Sequence, residues 1–474
     1  MKIKHSKGRA TLALSLAALA LLAGCMVGLD YHPPKTAAPP SWSSATNSAA
    51  AATQLTPSPT DLAQWWTRFQ DPKMTELVKT ALRTNLDVQL AQALLRESRA
   101  ALGRDTGGLW PSLTANGSAT RGGVVSGPGH ANSLSAGVGA LWNLDLFGVN
   151  RRQLESDRAA MQSSKENLYN AEVTLASEVA LDYIQVRSAQ EQIAIAQTNL
   201  ASEVHTAEVT RQKMAAGFDS GLDEANADAQ VASTAASIPP LETSIEQNIF
   251  ALSILLNRPP ADLLEDLSKP GAVPLTPSEV PVGLPSELLR RRPDIRAAEA
   301  NLHQAAALVG VAVADFYPQF SLTGSLSYNS SAAHDLFAGP NGLYSFGPQV
   351  IWPIFSGGST VSNLKLQKAA TDAAYINYQK TVLAALSDVE SYLAAFNKEW
   401  DHRRALTDAV AKNRRALELS QQLYRAGTAE FLTVLDAERS LLGSETALAQ
   451  SRQAISSDLV NIYRALGGGW VEAD

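Results

Sequence analysis

From Leu113 to Leu144 the apolar residues fall on every second position. Leu113, Ala115, Gly117 and Ala119 alternate with Ser112, Thr114, Asn116, Ser118 and Thr120, and Leu134, Ala136, Val138, Ala140, Trp142 and Leu144 form a second such run. A period of two predicts strands, here a hairpin closed by a Gly-rich loop at 122–132. The pattern returns in Phe316, Pro318, Phe320, Leu322, Gly324, Leu326 and Tyr328, and again in Phe346, Pro348, Val350, Trp352 and Ile354. A second hairpin follows, with its loop at 329–342. After each hairpin the period changes to that of a helix, over breaker-poor stretches from Gly148 to Gly217 and from Gly358 to Gly427. Each is about 68 residues, or roughly 100 Å of helix. Each then turns and returns as a further helix to Leu256 or Leu466. Val434, Leu441, Leu448, Ile455 and Ile462 recur every seven residues on one return, and Val231, Ile238, Ile245 and Leu252 on the other, a heptad that predicts coiled-coil packing. Pro239-Pro240 interrupts the first return and predicts a kink or a restart there.

The two sets of elements are copies. An offset of 207 residues carries Leu82 to Leu289, Asp87 to Asp294, Gly103 to Gly310 and Pro111 to Pro318. Beyond the hairpin loops the offset is 210, carrying Trp142 to Trp352, Gly217 to Gly427 and Leu256 to Leu466. A three-residue insertion explains the change, and the chain is read as two homologous halves. The first repeat is 72–257, with its hairpin at 109–147 and its tip turn at Gly217. A Pro-rich linker, 258–285, leads to the second repeat, 286–467, with its hairpin at 316–355 and its tip turn at Gly427; a tail, 468–474, closes the chain. Each repeat opens on a helix of about 20 residues or more, and in the second Pro293 and Asp294 suit its first turn.

The N-terminus alters where this object belongs. Lys2, Lys4, Lys7 and Arg9 precede an apolar run from Leu12 to Leu22, then Ala23-Gly24-Cys25, the order of a secretory signal and too short a run to span a bilayer. Cys25 is the single cysteine, so the chain holds no internal disulfide. Leu-Ala-Gly-Cys resembles a bacterial lipobox, which implies a signal peptide at 1–24, a lipidated Cys25 and an extended lipoprotein segment at 25–71. Met26 in place of an Asp favours sorting to the outer membrane. Loss of residues 1–24 removes four cations, taking the net charge from −7 to −11, which excludes a nucleic-acid footprint.

Only 6% of the residues are aromatic, as suits long helices packed on small side chains, and no later apolar run is long enough for a transmembrane helix. A membrane crossing therefore has to use the strands, as a barrel with lipid outside and water inside. Two hairpins cannot close one, so several chains must share a barrel. The same holds for a tube built from the rods. The seven His have no metal-ligand spacing, and neither a nucleophile elbow nor a phosphate loop occurs, so no enzyme activity and no cofactor beyond the lipid is expected.

Gly283-Leu-Pro-Ser-Glu-Leu-Leu-Arg-Arg-Arg-Pro-Asp-Ile-Arg-Ala-Ala-Glu-Ala-Asn-Leu302 closely resembles the signature of the outer-membrane factor family, the TolC-like exit ducts, in its NodT-type lipoprotein branch. Trp65-Trp66, Phe69 and Asp71-Pro72 are similar to that branch too, and the resemblance spans nearly the whole mature chain. It implies a mainly α TolC-like trimeric α/β-barrel, with four strands and long coiled-coil helices per protomer. A homotrimer would form a 12-stranded barrel in outer-membrane lipid and a 12-helix periplasmic tunnel. It also implies docking to a periplasmic adaptor and an inner-membrane pump of the RND type that expel drugs and other small toxic compounds.

The segment from Tyr424 to Arg439 resembles the family's tip motif, which implies that Leu432 and Asp436 line a periplasmic gate, with Arg439 one turn beyond. An ordinary i, i+3 surface pair of Asp436 with Arg439 is the alternative reading. Ala429 and Thr433 depart from TolC itself, which has Arg and Asp there, so closure is expected to lean on Leu432. Gly217 and Gly427 are turn residues, and in this family such tips also meet the adaptor. Trp142 and Trp352 are candidates for an interfacial aromatic belt, with ordinary packing as the other reading. Arg290-Arg291-Arg292 could hold an anion, but a solvated run ending a short helix is the simpler reading. A lipid-anchored periplasmic scaffold without conduction, or a duct for secreted proteins, are the alternative functions; two alternating hairpins count against the scaffold.

Overall fold

The computed structural model describes residues 26–36, 38–44, 54–56, 62–123, 129–277 and 279–471. The signal peptide and Cys25 lie outside the described residues. The elements in chain order are β1 (Gln54–Thr56), α1 (Pro72–Thr84), α2 (Leu86–Gly107), β2 (Ser112–Gly123), β3 (His130–Leu144), α3 (Val149–Ala215), α4 (Gly221–Ala236) and α5 (Ile238–Leu255). Then follow α6 (Leu264–Leu267), β4 (Glu279–Pro281), α7 (Pro285–Arg291), α8 (Pro293–Ala314), β5 (Gln319–Ser330), β6 (Gly342–Ile351), α9 (Ser359–Arg425) and α10 (Phe431–Ala465). The compact units do not coincide with the repeats: each unit draws on both halves, and the division falls within the long helices, at 165/166 in α3 and at 380/381 in α9.

One unit is built around an antiparallel sheet of order β2-β3-β5-β6. Its register pairs Ala115 with Val138, Val138 with Leu326, and Leu326 with Tyr344. Directly opposed residues share a face, so Leu113, Val138, Trp142, Leu322, Leu326, Phe346 and Val350 make one apolar face. The other face is polar, with cross-strand hydroxyl bonds between Ser118 and Ser135 (2.8 Å) and between Ser325 and Ser345 (2.9 Å). Pro348 lies on β6, an edge of this sheet, where its missing N–H costs little.

Two boundaries differ from the sequence reading. Gly122, Gly123 and His130 to Asn132 belong to the first ladder, which ends on the Gly123–His130 pair, rather than to a loop. The backbone carries that pairing, and glycines show no side-chain alternation to reveal it. In the second hairpin β5 starts at Gln319 and β6 stops at Ile351, so Phe316, Pro318, Trp352 and Ile354 flank the strands.

The other unit holds the helix returns and the tip turns. Asp71 caps α1 by accepting from the Met74 N–H (2.9 Å), with Pro72 at the first helical position. Trp65, Trp66 and Phe69 are buried beside Tyr463 of α10, and β1 pairs in parallel with β4. Val434, Leu441, Leu448, Ile455 and Ile462 are all buried, as a heptad seam requires. On the first return Ile245 and Leu252 are buried while Val231 and Ile238 are half-buried. There the helix stops at Ala236 and restarts with Pro239 and Pro240 in its first turn.

Arg292 corrects the solvated reading of the arginine run. It follows α7 in extended conformation ahead of Pro293, as a residue before proline prefers. Its guanidinium is largely buried, bound to Asp294 (2.6 and 3.0 Å), to Asp388 (3.3 Å) and to the Ala465 carbonyl at the end of α10 (3.1 Å). Arg290 is exposed.

Candidate gate at the helix turns

Both long helices end in the same way. Gly217 and Gly427 take φ of +79° and +75°, and the next N–H reaches back five residues, from Phe218 to the Lys213 carbonyl and from Thr428 to the Leu423 carbonyl (2.9 Å each). This is the left-handed closure that glycine permits. A Cβ at either glycine would meet nothing within 4 Å, so the cost of Ala is conformational alone. Gly427→Ala is expected to lower the stability of the turn by about 1–2 kcal/mol, read as a lower thermal midpoint with unchanged helix content.

The two turns are tied together. Lys213 donates to the Tyr424 carbonyl and sits 3.8 Å over its ring, and the Tyr424 hydroxyl pairs with Asp219 and with Thr210. Burial and then the Asp219 carboxylate raise the Tyr424 pKa and keep the phenol protonated. After the first turn Ser220 and Asp223 form a capping box. Between the turns lies a cleft of about 730 Å³, lined by Val209, Phe218, Arg425, Thr428 and Glu430, with Phe218 81% exposed.

Leu432 and Asp436 lie one helical turn apart on α10, both exposed in the protomer. Arg439 turns toward α4 and donates from Nε to Gln230 Oε1 (2.8 Å). Among the described residues no ion pair joins it to Asp436, so the i, i+3 pair is not formed and the Asp436 carboxylate is left on the exposed face beside Leu432.

Beneath this face is a group the sequence reading missed. Glu203 and Glu438 are 2% and 3% exposed. Glu438 accepts from Thr206 Oγ1 (2.7 Å), and Glu203 accepts from Gln230 Nε2 (3.0 Å) while its other oxygen has no partner. The signal was present, because Glu438 is four residues after Val434 and three before Leu441, on the buried stripe.

In the sheet unit Trp142 Nε1 donates to the Leu109 carbonyl and Trp352 Nε1 to the Phe316 carbonyl, 3.1 Å each. The two halves thus fix an indole by equivalent bonds at the base of each hairpin. Among the described residues no cluster of three or more His, Cys, Asp or Glu could hold a metal ion, and no helix is long and apolar enough to cross a membrane.

The family model for outer membrane efflux proteins matches residues 77–258 and 284–468, one match per half. Nodulation protein T of Rhizobium leguminosarum bv. trifolii is 31% identical over 95% of this chain and 96% of its own. The toluene efflux pump outer membrane protein TtgC of Pseudomonas putida is 32% identical over 97% and 96%. Among solved structures the outer-membrane channel OprN superposes with a TM-score of 0.88 at 36% identity, covering 94% of this chain and all of that one. With a matching fold, two matched halves and full-length relatives, the chain belongs to the outer membrane efflux protein family and has the TolC-like channel fold.

Proposed function

We propose that three copies of this chain form the outer-membrane exit duct of a tripartite efflux pump, anchored by a lipid on Cys25 and closed at its periplasmic tip by Leu432 and Asp436. The observation that carries this reading is the sheet: four strands with a continuous apolar face, and with β2 and β6 as edges. In lipid an unpaired edge would leave backbone groups without partners at several kcal/mol each, so edges from neighbouring copies must meet. Trp142 and Trp352, held at the hairpin bases, suit the membrane interface. An adaptor and an inner-membrane pump of the RND type are the proposed partners, with the cleft between the turns and the exposed Phe218 as the surface they reach. Small toxic compounds are the proposed cargo, a class to which the toluene in the name of the relative TtgC belongs.

Threefold symmetry would set Leu432 and Asp436 as an apolar and an acidic ring. Like charges close together repel and draw cations. In planar bilayers the lipidated wild type is expected to show a small cation-selective conductance. Asp436→Ala is expected to lower cation selectivity about two- to threefold, and Leu432→Ala to raise the open fraction several-fold, a change of about 1 kcal/mol. Unchanged currents in both variants would remove the gate assignment. Folded wild-type trimers that stay silent even with adaptor and pump present would remove the duct itself.

A further inference from the structure

The segment that follows the anchoring cysteine is clasped to the base of the hairpins. Met26 packs against Gly148 so closely that a Cβ there would come within 2.8 Å of it, and Gly148 has φ of +84°. The Val27 N–H donates to the Phe147 carbonyl (3.2 Å), and Gly28, at φ +92°, lies where a Cβ would be 2.9 Å from Gly310 Cα. Arg152, 1% exposed, binds the same segment from below. Its Nε donates to the Val27 carbonyl (3.1 Å), and its Nη2 to the Gly28 carbonyl (3.3 Å) and to Asp30 Oδ1 (2.8 Å). Its Nη1 donates to Glu155 Oε2 (2.7 Å). The other Glu155 oxygen meets His303 Nε2 at 2.9 Å, and the His303 ring stacks on Tyr31 at 4.2 Å.

This geometry has a direction. Arg152 and Glu155 come from α3 of the first half, while His303 and Gly310 come from α8 of the second, so residues 27–31 fasten both halves together in one unit. A buried guanidinium requires its acceptors, since leaving one unmatched costs several kcal/mol. Three of the four groups it binds belong to the strap, two of them backbone carbonyls that are present whatever the side chains. The strap is therefore held both by its backbone carbonyls and by Gly28 and Asp30, up to the residue bonded to Cys25.

We propose that Arg152 is a positioning residue for membrane assembly: it holds the lipidated N-terminus at the hairpin exits, so that the acyl chains and the strands meet the bilayer together. This rests on the lipid anchor at Cys25 and on the strands being the membrane part. With the clasp closed, one peptide bond separates the anchor from the fixed chain. Released, the strap becomes a free tether of about ten residues, and the effective concentration of the hairpins at the bilayer falls on the order of tenfold.

The test follows formation of SDS-resistant trimers by the acylated protein in phosphatidylethanolamine and phosphatidylglycerol vesicles. Arg152→Gln is expected to slow it about tenfold. Gly28→Ala, which leaves the arginine and its carboxylates in place, is expected to do the same. Insertion of about ten Gly and Ser residues between Cys25 and Met26 leaves the clasp untouched and should reproduce the slowing. Combined with Arg152→Gln it should add less than about threefold more, because the tether is already long. An insertion without effect, or effects that multiply, would overturn the positioning role and leave Arg152 as a packing residue. Wild-type conductance in the same vesicles reports on the duct separately, so loss of the clasp proposal and loss of the duct reading give different results.

Discussion

Trp65→Ala is expected to destabilise the protein by about 3–5 kcal/mol, the largest single effect among the substitutions considered. The indole is fully buried, stacked on Tyr463 with ring centroids 5.3 Å apart and met edge-on by Trp66 and Phe69 at 5.8 and 6.0 Å. The end of the chain is shaped around it: a Cβ on Gly468 or Gly469 would lie 3.1 or 3.3 Å from the indole. Truncation thus opens a cavity whose walls are other rings and close backbone, which cannot collapse into it. Trp65 Nε1 has no hydrogen-bond partner, so the loss is of packing and not of a polar contact. Trp65→Phe should accordingly cost much less. Tyr463 sharpens the case, since its hydroxyl is also buried without a partner and burial raises its pKa to about 12. Tyr463→Phe is expected to be neutral or stabilising, because an unmatched buried hydroxyl itself costs about 1–3 kcal/mol. Thermal melts followed by helix signal would show Trp65→Ala falling by roughly 6–10 °C. A fall no larger than that of an exposed substitution such as Leu432→Ala would mean that this cluster does not hold the unit together.

The contrast between the Val434 to Ile462 stripe and Glu438 within it shows which parts of the structure could be read in advance. The period of two from Leu113 to Leu144 and the seven-residue spacing from Val434 to Ile462 are repeated patterns, and a repeated pattern fixes which face is buried whatever the partner. The channel fold and the family followed from them and from the signature at Gly283 to Leu302. Single residues were harder. Arg292 reads as the last of three surface arginines until the end of α10 is brought beside it, because its acceptors are Asp388 and the Ala465 carbonyl, 96 and 173 residues away. The partition was also hidden, since β3 of one half pairs with β5 of the other, and long helices let a compact unit take segments from both. At the tip, the motif singles out Leu432 and Asp436, which lie exposed one turn apart on α10. That Arg439 would choose Gln230 over Asp436 depends on a helix 200 residues upstream, and i, i+3 spacing permits the pair without requiring it.

Glu438 carries the second large expectation, and its sign is the reverse of the usual acid effect. Burial first, then the charge of Glu203, raise its pKa to about 6, while the bond from Thr206 opposes the rise. An unfolded chain would release this proton near pH 4.5, so between about pH 4.5 and 6 the folded state binds a proton that the unfolded state has lost. Folding therefore gains stability as pH falls through that window, and at pH 7.5 the buried charge costs about 2 kcal/mol. The groups around it account for the cost. On α3 stand Glu203 and Thr206, on α4 Gln230, on α9 Gln421, and Arg439 on α10 itself is directed at Gln230. No cation in this set binds the Glu438 carboxylate directly. Glu438→Gln keeps an acceptor for Thr206 and removes the charge. It is expected to raise stability at pH 7.5 by about 2 kcal/mol and to leave it unchanged at pH 4. Glu172, Asp182 and Asp458 are raised by burial as well, to about 7, 6 and 6, and give the wild type a background slope of the same sign. The informative quantity is hence the difference between variant and wild type in thermal midpoint at the two pH values, and equal differences at both would show that this carboxylate is not held at the cost its burial implies. Because Glu438 sits two residues from Asp436 on the same helix, the same protonation would tighten the packing of α10 on α3 beneath the gate face, so single-channel recordings of Glu438→Gln at pH 7.5 should resemble the wild type at pH 5 in open fraction.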